Sequence, residues 1–245
     1  MSPRTTLAVA GRVLSQLRRD RRTAAMLIAV PCLLLTLLWW MFDGDDETFA
    51  RFGPPLLAMF PFIVMFLVTS VTTLRERSSG TLERLLTTPM KKADLLAGYA
   101  LAFGAVAVVQ ALAAVGLSVG LLGLDVRGEV WVLGLVAVLD AVLGCALGLL
   151  VSAFAETEFQ AVQFMPALVL PQVLLCGLFV PRDVLPDVLT VASDVLPLSY
   201  AVEAMQEIQL SATWTGQLSL DVAVIAGFAL LALVVGSATL RRRTA

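Results

Sequence analysis

Apolar residues along this chain gather into runs of about twenty, separated by short charged segments, and do not alternate every second position. A helix needs about twenty apolar residues to cross a hydrocarbon core roughly 30 Å thick. Backbone polar groups in lipid must pair within the structure, so long unalternating runs predict helices and not a barrel. Six spans are predicted, over residues 23–42, 53–74, 95–122, 131–154, 161–180 and 220–240. Two weaker patterns flank them. Leu7, Ala10, Val13, Leu14 and Leu17 recur at helical spacing opposite Arg12, Gln16 and Arg19. This predicts an amphipathic helix over residues 1–22, lying on the membrane surface and feeding span one. Residues 181–219 carry the stripe Val184, Leu185, Val188, Leu189, Val191, Ala192 and Val195, divided by Pro181, Pro186 and Pro197. Short external helices that dip into the outer leaflet without crossing it are predicted there. Asp183, Asp187, Asp194, Glu203 and Glu207 would keep the other face wet. The fold class is an all-α integral membrane protein forming one transmembrane domain over residues 1–245.

Composition agrees with the pattern. The chain has 245 residues, 59% hydrophobic and 15% charged, with a mean hydropathy of +0.90; a soluble domain carries about 25% charged residues. The net charge of −2 says little, but its distribution says much. With both termini in the cytoplasm, Arg4, Arg12, Arg18, Arg19, Arg21 and Arg22 lie inside. So do Arg75, Arg77, Arg84, Lys91 and Lys92 of the loop after span two, and Arg241, Arg242 and Arg243 of the tail. Only Arg51, Arg127 and Arg182 remain outside, as the positive-inside rule requires. Span one ends in the aromatic anchor Leu38-Trp39-Trp40-Met41-Phe42 and is too long for a cleavable signal peptide.

Particular residues refine the spans. Gly116 and Gly120 in span three, and Gly144 and Gly148 in span four, sit four apart, a spacing that lets helix backbones approach closely. Span five contains Pro166 and Pro171 beside Gln163 and Gln172. Each proline frees a carbonyl one turn back, which predicts a kinked helix facing protein. Asp140 stands in the middle of span four, where a carboxylate is costly. Two readings stay open for it: a cargo contact or proton relay facing a cavity, and a hydrogen-bonded carboxyl at a helix contact, with Gln110 as its partner. Cys32, Cys145 and Cys176 all fall in apolar runs and form no CxxC pair, so they read as small buried hydrophobes. Histidine is absent.

The loop after span two, residues 75–94, is the most informative segment. Gly80 starts and Pro89 stops a short helix with Leu82, Leu85 and Leu86 on one face. Two turns with a narrow leucine face cannot fold alone and must dock, either on the membrane or in a groove of a soluble partner. The string Glu76-Arg77-Ser-Ser-Gly80-Thr81-Leu82-Glu83-Arg84-Leu85-Leu86-Thr-Thr-Pro89 resembles the signature of the ABC-2 type transporter permeases, membrane subunits of bacterial exporters. A second block follows in the expected order: Glu158-Phe-Gln160-Ala-Val-Gln163-Phe-Met-Pro166, then Leu170-Pro171-Gln172, Gly177-Leu-Phe-Val-Pro181 and Leu196-Pro197-Leu198-Ser199-Tyr200-Ala201. The resemblance spans essentially the whole chain and is nearest to the daunorubicin-type multidrug exporters.

The resemblance implies roles. Gly80–Leu86 would be the coupling helix, seated with Glu76 beside it in a cleft of an ATP-binding subunit. Glu156 and Glu158 would make the minor cytoplasmic contact, and residues 1–22 would be the connecting helix. Asp140, Gln163, Pro166 and Gln172 are candidates for the cargo pathway. No G-x-x-x-x-G-K-[ST] loop occurs in these residues, so ATP and Mg2+ would be bound by the partner and no cofactor by this chain. Two ATPase copies, a second permease (identical or homologous), the lipid bilayer and an exported small molecule are the implied partners; nucleic acid is not. The implied location is the bacterial cytoplasmic membrane, and an apolar path suits a drug, antibiotic or lipid-like cargo. The competing reading is a proton-coupled secondary transporter using Asp140. A second rival, an intramembrane enzyme, would need a catalytic set, and the chain lacks the histidine such a set commonly uses.

Overall fold

Asp20 and Asp45 begin the first two membrane helices by the same local chemistry. The Asp20 carboxylate accepts from the Thr23 N–H and hydroxyl, and Asp45 does the same with Thr48. Each pair satisfies a donor that the first helical turn leaves open. The computed structural model describes residues 2–78 and 92–239, and among these it contains helices and no strand. Helix α1 spans Pro3–Arg19, α2 Arg21–Met41, α3 Asp46–Ser78 and α4 Lys92–Gly120. Then come α5, Val130–Ser152, and α6, Glu158–Leu175. After a 3-10 turn at Arg182–Val184 follow α7, Asp187–Asp194, α8, Pro197–Leu210, and α9, Gly216–Thr239. Six of these, α2, α3, α4, α5, α6 and α9, are long and apolar enough to cross a membrane.

The second span runs well beyond residues 53–74. Asp45 starts the helix early, and Pro54, Pro55 and Pro61 stay within it. The centre of the bundle is the seam between α3 and α5, the most extensive helix contact. A Cβ on Gly144 would collide with the carbonyl of Phe62, and one on Gly148 would stand 2.5 Å from that of Phe66. The glycines are what allow the backbones to touch. Gly116 and Gly120 have nothing within 4 Å among the described residues, so the same spacing in α4 packs nothing there. Phe62, Met65, Phe66, Leu133 and Leu143 fill the core around the seam.

Burial falls off sharply away from the seam. In α5, 72% of the span is buried within the chain, against 17% in α2 and in α6. Span five was expected to face protein, but α6 turns nearly all of its surface outward. Only Ala161, Val169 and Gln172 are buried. Among the described residues, little protein covers this helix.

The segment between the last two spans folds into short helices, as expected. Helices α7 and α8 meet at an 89° bend. The apolar stripe at Val184, Val188, Val191 and Val195 is exposed. The buried element is α8, whose Leu198, Ala201, Val202, Met205 and Ile208 pack onto α3 and α9. The acids are not simply solvated. Arg182 pairs with Asp194 and with Glu203, and the Thr215 hydroxyl donates to Glu207.

Candidate functional site

The predicted helix over Gly80–Leu86 lies outside the described residues, but both of its stems are described. The upstream stem ends in Arg75, Glu76 and Arg77. Three consecutive helical residues point about 100° apart, so they reach three different neighbours.

Glu76 points inward and is 5% exposed. It accepts a 2.6 Å hydrogen bond from Arg12 of α1 and another from the Tyr99 hydroxyl of α4. Arg12 also donates to the Tyr99 oxygen at 2.9 Å. Burial is the strongest single influence on Arg12 and works against its charge, yet Glu76 and Tyr99 together outweigh it and hold the guanidinium above its ordinary pKa. Arg12 was expected on the polar face of the surface helix and instead enters the bundle. The face of α1 that packs inward is Thr6, Val9, Ala10 and Val13, while Leu7 stays exposed. A Cβ on Gly98 would stand 2.6 Å from the Val9 side chain, so a glycine in α4 seats α1. The backbone N–H of Ser2 donates to Asp94 at 3.0 Å, closing the far end.

Arg77 turns toward the end of α5. Its guanidinium donates to the carbonyls of Ser152 at 2.8 Å, Ala153 at 2.9 Å and Ala155 at 2.5 Å. These carbonyls have no helical partner, and a cation beside them also meets the negative end of the helix dipole. Arg75 makes a bidentate pair with Glu158 at the start of α6, both bonds 2.9 Å. A capping box fixes that helix start: the Thr157 hydroxyl accepts from the Gln160 N–H, and the Gln160 side chain accepts from the Glu156 N–H. Glu156 itself is exposed. One helix end therefore holds α1, α4, α5 and α6 together. Sequence reading named Glu76, Glu156 and Glu158 for a contact with an ATPase and gave Arg12, Arg75, Arg77 and Tyr99 no part in this junction, because nothing in a helical pattern marks a partner from a distant segment.

The pathway candidates do not converge. Asp140 is fully buried in α5, and neither carboxylate oxygen has a partner among the described residues. Gln110, proposed as its partner, instead donates to the Leu27 carbonyl at 2.7 Å and so ties α4 to α2. Gln172 is buried and bridges α6 to α8, donating to the Leu168 carbonyl at 3.0 Å and accepting from the Leu198 N–H at 3.4 Å. Gln163 and Pro166 lie on the exposed side of α6. The string Gly116-Leu-Ser118-Val-Gly120 has the letters of a hydrolase elbow but lies inside α4 with Ser118 buried, not on the strand-to-helix turn that exposes such a serine. Among the described residues no group of three or more His, Cys, Asp or Glu is placed to hold a metal ion.

Comparison with known proteins adds an independent line. A family model described as ABC-2 type transporter matches residues 4–210. The chain is 26% identical over 159 residues to the probable multidrug ABC transporter permease YbhS of Escherichia coli (strain K12), which covers 64% of this chain and 42% of that protein. It is 27% identical over 157 residues to the probable multidrug ABC transporter permease YbhR of the same strain, covering 64% and 43%. It is 24% identical over 171 residues to ABC transporter G family member 20 of Dictyostelium discoideum, covering 69% and 23%. The chain thus spans less than half the length of each of these relatives.

Proposed function

The chain belongs to the ABC-2 type transporter family, and from that premise we propose that it is the membrane-spanning permease of an ATP-driven exporter in the bacterial cytoplasmic membrane. A separate ATP-binding subunit, present in two copies, supplies hydrolysis and holds ATP and Mg2+. Residues 80–86 are the lever that the ATPase moves, with Glu76, Glu156 and Glu158 beside it. The termini lie in the cytoplasm, on the side where most of the basic residues gather.

The observation that carries this reading is the junction at Arg75, Glu76 and Arg77. A push on residues 79–91 reaches α3 first, and through three consecutive side chains it reaches α1, α4, α5 and α6. The little-buried faces of α2 and α6 support a second permease, identical or homologous, with cargo moving between the copies. The spans are apolar, and two of the relatives carry the word multidrug in their names. An amphiphilic drug, antibiotic or lipid-like cargo fits both.

The test is to remove residues 80–86, or to change Leu85→Glu, with the ATPase co-expressed. Loss of ATPase co-purification, or of cargo-stimulated hydrolysis in an assembled complex, supports the lever. Unaltered export by either variant refutes it. One observation favours a second reading, a proton-coupled carrier: the carboxylate of Asp140, without a partner among the described residues. That reading requires cargo movement in nucleotide-free vesicles under a pH gradient, abolished by Asp140→Asn.

A further inference from the structure

At the end of the bundle away from α1, the segments 121–129 and 211–215 close over the ends of α5 and α8 and leave a cavity of about 270 Å3. The loop is pinned there by the Gly128 N–H, which donates to the Ile208 carbonyl at 2.8 Å. Two aromatic rings and two acids dominate the walls: Trp131, Trp214, Glu129 and Glu207, backed by Val132 and Leu218. No lysine or arginine lines it. The indoles stack with centroids 5.9 Å apart and planes 13° from parallel, and each retains about half of its surface, 59% for Trp131 and 45% for Trp214.

Most polar atoms around the cavity are satisfied. The Trp131 N–H donates to Glu129, and the Trp214 N–H donates to the Ser219 hydroxyl at 2.6 Å. Glu207 accepts from the Thr215 hydroxyl through one oxygen. Its other oxygen, Oε2, is buried and has no partner among the described residues. A membrane-interface tryptophan needs neither a concavity nor an unpaired acid to act as an anchor. A buried carboxylate oxygen left without a donor is unfavourable, and a cation beside it relieves that cost. Aromatic faces attract cations too diffuse to form strong hydrogen bonds.

We propose that this cavity binds a small alkylammonium ion, its positive centre held against the stacked indole pair of Trp131 and Trp214 and beside the free oxygen of Glu207. The site lies at the opposite end of the bundle from Arg75, Glu76 and Arg77 and stands whether or not an ATPase drives the chain. Its ligand is either a soluble organic cation or the ammonium headgroup of a lipid, since both offer the same chemistry.

The test uses the full chain in phosphatidylglycerol nanodiscs, titrated with choline and with the neutral isostere that has carbon in place of the ammonium nitrogen. Choline should change the tryptophan fluorescence saturably and the isostere should not. Glu207→Gln and Trp214→Leu should each weaken choline at least about tenfold, while Trp214→Phe keeps most of the affinity and controls for folding. In phosphatidylcholine discs, loss of the response to added choline identifies a lipid headgroup as the occupant, and a retained response identifies a soluble cation. Both support an ammonium site. Equal binding of choline and its isostere, an unaltered Glu207→Gln response, or no saturable response in phosphatidylglycerol would overturn it.

Discussion

Arg12 and Glu76 are 64 positions apart in sequence, yet the guanidinium Nη2 and the carboxylate Oε2 stand 2.6 Å apart. The Glu76 side chain is 6% exposed and that of Arg12 32%. The pair joins the helix that precedes the first span to the end of the second, one residue before Arg77 turns to cap α5.

Removing Arg12 takes one cation away from a buried carboxylate. For a fully buried pair this costs about 3–5 kcal/mol; with Arg12 a third open to solvent, we expect about 1–3 kcal/mol for Arg12→Ala. Adding Glu76→Gln should recover part of the loss, because the buried charge is gone. Thermal unfolding of the two single variants and the double variant measures the coupling. Additive losses would mean that the pair contributes nothing.

The two glycine pairs in α4 and α5 predict opposite outcomes. Gly144→Ala drives a methyl into the Phe62 carbonyl and should destabilise by about 1–3 kcal/mol. Gly116→Ala meets nothing among the described residues and should be neutral or stabilise by up to about 1 kcal/mol through helix propensity. Equal melting temperatures for the two variants would contradict the seam.

Arg77→Ala uncaps three carbonyls at the end of α5 and should cost about 1–3 kcal/mol. Arg77→Lys should restore only part of it, since one ammonium cannot span the same row. Hydrogen exchange over residues 149–155 should rise in the order parent, lysine, alanine. A uniform rise across the bundle would argue against a local cap.

Asp20 gives a pH signature. Its hydrogen bonds to the Thr23 hydroxyl and N–H hold the carboxyl below its ordinary pKa of 3.8. A depressed folded-state value means that the cap stabilises α2 fully above the unfolded-state pKa and loses that effect as pH falls through the lower folded one. Exchange in the first turn of α2 should therefore accelerate below about pH 3.8, and Asp20→Asn should flatten the response. Asp45, lowered by Thr48 in the same manner, should behave alike at the start of α3.

Asp140→Asn keeps the shape of the side chain and replaces an ionisable carboxyl, which has no partner among the described residues, with a neutral amide. Stability should stay level or rise by up to about 2 kcal/mol, with altered cargo handling. Unchanged export by a normally assembled variant would take Asp140 out of the pathway.

The six spans were legible because lipid imposes one requirement on every segment, and a run of apolar residues meets it visibly. The family motifs were legible as strings. What the pattern could not show was pairing. Gly116 and Gly144 look alike in the sequence, and only the chain opposite each decides which one is a contact. Arg12 fitted a polar face until Glu76 and Tyr99 were brought beside it. Asp140 and Gln110 suggested a pair on chemistry alone, but the Leu27 carbonyl lay nearer. The prolines of span five foretold a need for protein neighbours, and the described residues leave that need unmet.

The seam at Phe62 and Phe66 restricts what this bundle can do when it works. Gly144 and Gly148 sit as notches one turn apart over carbonyls that are also one turn apart. Sliding by one turn would bring a side chain, Asp140 in one direction or Ser152 in the other, against that carbonyl row. So α3 and α5 travel together as one board, and whatever gap opens for a passenger must open around its edges.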